Sequence, residues 1–368
     1  MKDRKINISY IAEINLNSKS AYKHQVLKMC DAFSQKGFKV KLFIINANKV
    51  KFNKLKRNYL LKSNFKIVEI YNSINHLNFL TRLLFSIKLF FLIKNKDEII
   101  FSRSVFVSIF LSIFGVKNVL EVHQPNSGLT NLMFNFFRKK ILKNTKFILI
   151  NKNLNKKFLL NKNDFIVADD GVDLRDFKSV QNIKYKDSCV YTGSLFQGKG
   201  VEIILKLAKK LNKFTFYVYG DLKTAPAKIL NDCLKLKNIK LLGHVKYSEI
   251  PKILKSHKSI IMPYSKKVFG NHKNTNIEKY MSPLKLFDYL ASGRIIVASK
   301  SQSYSHILKD TINSVLCDSS NLDKWVKTLK DISKNKINFN KLKKNSLETA
   351  KQFSWIYRIE KILNFIEK

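Results

Sequence analysis

The stretch MSPLKLFDYLASG, residues 281–293, sets a lysine and a carboxylate three residues apart, Lys285 and Asp288. On a helix that spacing puts both on one face. The flanks predict the helix: Ser282 suits the N-cap, Pro283 the first helical position, and Gly293 the left-handed residue that ends it. Leu284, Phe287, Leu290 and Ala291 recur at helical spacing. A lysine beside the free N–H groups of a helix start suits a phosphate, and a carboxylate one turn on suits a ribose diol. An ordinary capped surface helix carries the same marks.

A second candidate is CVYTGSLFQGKGVE, residues 189–202. It reads as a strand into Gly193, a loop, and a helix from Val201. Glycines 193, 198 and 200 would let backbone amides crowd a phosphate, with Lys199 as counter-charge. The full spacing of a nucleoside-triphosphate loop is absent. In the first half of the chain, Arg103 and His123 follow predicted strands, and parallel sheets place their sites at carboxyl ends. Asp169 and Asp170 also follow a strand, but their spacing is not the Asp-x-Asp of a metal motif.

These residues need a scaffold of parallel strands. Residues 5–11 read as a strand, 21–37 as an amphipathic helix closed by Gly37, and 38–45 as the next strand, the opening of a doubly wound sheet. The loop at 15–20 has no glycine, which counts against a dinucleotide-dependent dehydrogenase. Strands follow at 98–104, 118–123 and 147–151, the last expected to close the first domain. The second half adds strands at 214–221, 239–245, 259–264, 295–299 and 314–317, with helices at 201–211, 247–256 and 322–332. Residues 76–94 (HLNFLTRLLFSIKLFFLIK) form a very apolar helix. Its polar residues Asn78, Thr81, Arg82, Ser86 and Lys88 share one arc, into which Phe85, Leu89 and Leu92 intrude. Either it is largely buried beside the sheet, or it lies in a membrane interface with its basic residues at lipid phosphates. Residues 134–140 have the same character.

The run SPLKLFDYLASG followed by RIIVAS resembles the donor-binding helix of family 4 glycosyltransferases, which have the GT-B fold. That family has Glu where Asp288 stands, binding the nucleotide ribose. It often has another Glu at the position of Tyr280, with Glu278 here two residues out of register. Residues 193–200 resemble the family's Gly-x-Leu…Lys-Gly diphosphate loop, with Ser194 in place of a frequent Arg. Glu121 and His123 resemble its first-domain motif, whose His faces the donor sugar. GVDLRDF at 171–177 resembles the interdomain linker, and QFSWIYR at 352–358 the terminal helix that returns to the first domain.

The resemblance implies an α/β GT-B fold of two doubly wound Rossmann-like domains facing across a cleft. The expected limits are 1–168 for the acceptor-side domain, 169–185 for the linker, 186–340 for the donor domain and 341–368 for the crossover helix. It also implies a retaining, metal-independent transferase with no cofactor, using a UDP- or GDP-sugar as co-substrate. Lys199 and Lys285 would stabilise the leaving diphosphate, and His123 would face the sugar. Gly193, Ser194, Gly220, the backbone of Gly243, His244 and Val245, and Ser282, Pro283, Leu284, Lys285 and Asp288 would hold the donor. Arg103, Glu121 and His123 would line the acceptor side. The acceptor would be a glycan or lipid-linked sugar of bacterial surface polysaccharide or lipopolysaccharide synthesis.

At 368 residues and 45% hydrophobic content the chain can build two cores. Four cysteines without a Cys-x-x-Cys pair fit a reducing compartment and no zinc site. The start lacks the apolar run of a signal peptide, and no run is long enough to span a membrane, so a cytoplasmic protein is expected. The net charge of +43 invites a nucleic-acid-binding α/β protein, but only eight of the 69 basic residues are Arg and the excess is spread over both halves. Abundant Lys, Asn and Ile fits an AT-rich coding sequence, so compositional drift with a weak attraction to an anionic membrane surface, the cytoplasmic face of an inner membrane, fits the charge better than a specific nucleic acid. Ser194 and Tyr280 keep open a catalytically degenerate GT-B protein at such a surface.

Overall fold

The computed structural model describes residues 7–45, 50–71, 78–93, 98–180, 185–270 and 276–367. Two compact units form: Met1–Asp170 with Trp355–Lys368, and Gly171–Ser354. Residues 339–351 therefore belong to the second unit, and the return to the first begins at Trp355 rather than at 341.

The first unit is built on seven parallel strands: β1 (Asn7–Ile11), β2 (Lys39–Ile44), β3 (Lys66–Glu69), β4 (Glu98–Ser102), β5 (Asn118–Val122), β6 (Thr145–Leu149) and β7 (Phe165–Val167). Their order is β3-β2-β1-β4-β5-β6-β7, reversing direction between β1 and β4. β3 and β7 are four and three residues long, too short for a periodic signal. So the strand at 145–149 does not close this sheet; β7 does. β1, β4 and β5 are fully or largely buried and apolar, as strands covered on both faces must be.

The second unit has six parallel strands: β8 (Lys186–Thr192), β9 (Phe216–Tyr219), β10 (Ile239–Gly243), β11 (His257–Met262), β12 (Ile295–Ser299) and β13 (Val315–Cys317). The order β10-β9-β8-β11-β12-β13 puts its reversal between β8 and β11. Cores lie on both faces of the sheet, one around Trp325, Val218 and Ile204, the other around Phe287, Ile260 and Tyr304. Ligand crevices form outside the carboxyl ends of strands at such reversals. Residues 247–256 start as a 3₁₀ turn, Tyr247–Glu249, before the helix Ile250–Lys255.

The helix Phe79–Leu92 turns its basic residues Arg82 and Lys88 inward; residues 76, 77 and 94 lie outside the described residues. Phe85, Ser86 and Leu89 face the core formed with Ile11, Ile100 and Leu111. Arg82 reaches Glu13 at 3.2 Å, and Lys88 donates to the Ile70 carbonyl at 2.9 Å. Leu80, Leu84, Ile87 and Phe91, one unbroken helical stripe, are left outward at 59%, 42%, 37% and 61% exposure.

Candidate functional site

In the second unit the site is assembled from three neighbouring strand ends. Gly193, Gly220 and Gly243 close β8, β9 and β10, and their backbones lock together: Gly193 N–H donates to Tyr219 O at 2.9 Å, and Gly220 N–H to Gly243 O at 2.8 Å. A side-chain carbon on Gly220 would lie 2.2 Å from the Gly193 carbonyl oxygen. At Gly220 only a residue without a side chain lets the strand ends sit this close.

The helix Leu284–Ser292 packs beside them. Its cap is Pro283, with no side-chain capping bond, rather than Ser282; the Pro283 carbonyl takes the first bond from Leu286 N–H. Gly293 ends the helix in the left-handed conformation, φ +64°. The first turn sends Lys285 to the end of β8. Its Nζ lies 3.8 Å from the centroid of the Tyr191 ring and 5.4 Å from that of Tyr264, with no hydrogen-bond partner and no water access. Lys199 approaches the other side, 5.6 Å from the Tyr264 ring. Burial, and then the charge of Lys199, push Lys285 well below the usual lysine pKa. Burial lowers Lys199 to about 8. Two partly dehydrated lysines against aromatic faces have the chemistry to attract an anion.

Several amides of the loop are already engaged within the protein. Gly198 N–H is taken by Glu202 Oε1 at 3.0 Å, and Lys199 N–H by the Phe196 carbonyl. A side chain on Gly198 would strike the Lys267 carbonyl at 1.9 Å, and one on Gly200 would strike Pro263. These two glycines serve close packing against the segment after β11, so the lysines supply the positive field. Ser194 contributes its carbonyl to Tyr191 Oη at 2.6 Å.

Asp288 is buried and accepts from Tyr247 Oη at 3.1 Å. The Tyr247 hydroxyl is raised well above its ordinary pKa by burial, then by Asp288 and Asp176. Gly243 turns at φ +72° before the exposed His244 and half-buried Val245. Glu278, offset from the family position, accepts from Ser301 Oγ on the loop after β12. Nothing in the local sequence marks Tyr191, Tyr264 or Tyr247; they come to the site only through sheet order and packing.

The first unit gathers Arg103, Glu121 and His123 at the carboxyl ends of β4 and β5. Glu121 is fully buried and accepts from Gln25 Nε2 at 2.6 Å, His123 Nε2 at 2.7 Å, Arg358 Nη2 at 3.0 Å and Tyr10 Oη at 3.2 Å. Arg103 stacks on Tyr22 at 3.8 Å and bonds Gln25 Oε1 at 2.7 Å and His123 Nδ1 at 3.0 Å. Burial would raise Glu121, but Arg358 and His123 overrule it and hold it at about 2. Burial and then Arg103 lower His123 to about 4. Both imidazole nitrogens are thus committed within the protein, and the ring is neutral near pH 7. In this arrangement His123 is held between Arg103 and Glu121. Sequence reading missed Gln25, Tyr10 and Arg358, which are distant in the chain.

Glu121, His123 and Asp170 bring ligand atoms within 4.8 Å of one another. Arg358 and Arg103 already provide the positive charge there, and four donors occupy the Glu121 carboxylate. The donor set fits guanidinium rather than a metal ion. Burial raises the Asp170 carboxyl to about 7, against the pull of Arg358.

Two reversed parallel sheets, with a lysine-lined strand end in the second, define the GT-B class of glycosyltransferases. Residues 174–349 match the family described as glycosyl transferases group 1, and the chain is a glycosyltransferase. It is similar over 99% of its length to 99% of a glycosyltransferase from Rickettsia africae, with 13% identity and a TM-score of 0.75. Anabaena Alr3699/HepE, solved with UDP and glucose, matches 98% of this chain over 99% of its own at 11% identity and TM-score 0.72. WaaG, a glycosyltransferase involved in lipopolysaccharide biosynthesis, matches at 11% identity, 98% and 99% coverage and TM-score 0.67. No curated protein sequence matches the chain.

Proposed function

We propose that the protein transfers a sugar, with retention and without a metal, from a UDP- or GDP-sugar to a glycan or lipid-linked acceptor of bacterial surface polysaccharide or lipopolysaccharide synthesis. The carrying observation is Lys285: a shielded ammonium without a hydrogen-bond partner, beside a glycine-built strand end and a second lysine. Breaking the anomeric bond builds negative charge on the departing diphosphate, and fixed cations in a dry site stabilise that charge most. Asp288, already held by Tyr247, serves the ribose hydroxyls; Gly243, His244 and Val245 border the base. HepE with UDP bound is a relative in fold that supports the donor class. His123 receives no proton-transfer role; with Arg103 and Glu121 it forms the acceptor-side wall. The test is a thermal-shift panel of UDP, GDP and their sugars on wild type and Lys285→Ala, followed by mass spectrometry of glycosylated lipids. Stabilisation of wild type alone is expected. No shift of wild type with any of them at millimolar concentration defeats the reading.

A peripheral place on an anionic membrane, at the cytoplasmic face, is supported by the outward stripe Leu80, Leu84, Ile87 and Phe91. Leu132 and Phe136, 65% and 83% exposed, lie on the helix Gly128–Phe136. Lys139 and Lys140 follow them, both exposed. An apolar face bordered by lysines suits a lipid surface, while the charge of +43 opposes pairing with a second copy. Among the described residues, no helix is long and apolar enough to cross a membrane.

A further inference from the structure

The polar cluster of the first unit closes into a ring in which each proton has one possible place. A guanidinium only donates, so Arg103 Nη2 requires a bare Nδ1 on His123, and the ring proton must sit on Nε2, facing Glu121 Oε1. Arg103 Nη1 likewise requires the oxygen of the Gln25 amide, which turns the Gln25 NH₂ to the same carboxylate. Arg103, His123, Glu121 and Gln25 thus fix each other's orientation.

Arg358 stands outside that ring and braces it. It comes from the last helix, Trp355–Ile366, and is 3% exposed. Its Nη2 donates to Glu121 Oε1 at 3.0 Å and to the Ala168 carbonyl at 3.2 Å, and its Nε to the Asp169 carbonyl at 2.8 Å. One guanidinium therefore holds the Glu121 carboxylate and the backbone that leaves the first unit at Asp170. A lysine ammonium lacks the planar fork to serve all three acceptors.

We infer that Arg358 is a positioning residue for the acceptor-side wall: through Glu121 it fixes the tautomer of His123 and the aim of Arg103. Without it, Glu121 would keep His123, Gln25 and Tyr10 as neutral donors but lose its direct cationic partner in a buried place, where an unpaired carboxylate takes up a proton. A protonated Glu121 becomes a donor itself, so the ring no longer has a single arrangement. The last helix, far away in sequence, thereby controls the wall built by β4 and β5. The consequence for catalysis rests on the acceptor-side reading above; the ring is testable without any substrate.

The test is long-range ¹H–¹⁵N NMR of the full chain labelled at histidine, with His123 assigned by His123→Gln. Wild type is expected to show one Nε2–H tautomer that stays neutral well below the ordinary imidazole midpoint of about 6.5. Arg358→Met, of similar length and without charge, should show mixed tautomers and a displaced midpoint, with circular dichroism unchanged. Arg358→Lys should fall between the two. A folded Arg358→Met with an unaltered His123 overturns the proposal and leaves Arg358 a packing residue. If Arg358→Met cannot be purified, an unaltered His123 in Arg358→Lys overturns it equally, because an ammonium cannot serve Glu121 and both carbonyls. If the wild type transfers no sugar, the function reading falls while the NMR result stands.

Discussion

Lys285 occupies the space that a side chain on Gly193 would fill: a carbon built on Gly193 would lie 2.5 Å from Lys285 Nζ. The glycine and the lysine are one device, since the bare strand end is what lets an ammonium reach the carboxyl edge of the sheet. Gly193 also turns at φ +133°, a conformation that L side chains rarely adopt. Gly193→Ala should push Lys285 away and weaken nucleoside diphosphate binding about 10–100-fold, the worth of one charge-assisted hydrogen bond. Calorimetric titration of UDP and GDP reads this directly; unchanged affinity in a folded variant would separate the two residues.

Lys285 should also cost the empty protein stability, because a shielded ammonium without a hydrogen-bond partner is unfavourable. Lys285→Met keeps the length and removes the charge. It should stabilise the unliganded protein by about 1–3 kcal/mol and abolish stabilisation by nucleoside diphosphates. A lower melting temperature without ligand would show that the ammonium is already compensated.

The lysine pair also predicts a pH dependence. Lys199 is depressed to about 8 in the folded protein, below its unfolded value of about 10.4. Between those values the folded state binds fewer protons, so this group's contribution to stability rises with pH through that window. An incoming diphosphate favours the charged form and raises the pKa again. Binding near pH 9 should therefore take up a proton, and affinity should fall as pH rises through about 8. Titrations in two buffers of different ionisation enthalpy measure the uptake; none in wild type, or full uptake in Lys199→Met, would exclude Lys199.

Sequence carried the second unit further than the first. Gly293 and the repeat of Leu284, Phe287 and Leu290 fixed the helix and its end, because capping and periodicity are local. The strand-end glycines were legible too, but the packing roles of Gly198 and Gly200 were not: they depend on Lys267 and Pro263, 69 and 63 residues further along the chain. His123 shows the same limit. Its place after a strand was readable, yet the partners that occupy both nitrogens come from residues 103 and 121 and are braced by 358. On a helical wheel the polar residues of Phe79–Leu92 are expected to face water or lipid headgroups. Arg82 and Lys88 instead turn to Glu13 and the Ile70 carbonyl.

Asp288 and Tyr247 can be told apart by paired variants. Asp288→Asn should weaken nucleoside diphosphate binding by about 1.5–3 kcal/mol, since a charged acceptor to the ribose is replaced by a neutral one. Tyr247→Phe removes only the hydroxyl that braces Asp288 at 3.1 Å and should cost less, within about 1 kcal/mol. Equal losses in both variants would make Asp288 a structural partner of Tyr247 rather than a ribose ligand.

The outward stripe gives the membrane reading its own test. Phe85 is fully buried and belongs to the core, so Phe85→Ser should unfold the first unit, in line with the 3–5 kcal/mol typical of emptied aromatic sites. Leu84 and Phe91, on the same helix, face out. Leu84→Ser with Phe91→Ser should change stability by only about 0.5 kcal/mol per site. The wild type should sediment with anionic vesicles and not with neutral ones, and binding should loosen as added salt shortens the screening length below about 10 Å. The double variant should lose most of that binding while keeping its melting temperature. Lysines alone would hold it equally well if charge were the whole attraction, so undiminished sedimentation of the double variant would remove the stripe from the interface. Wild-type indifference to both vesicle types at low salt would remove the membrane itself.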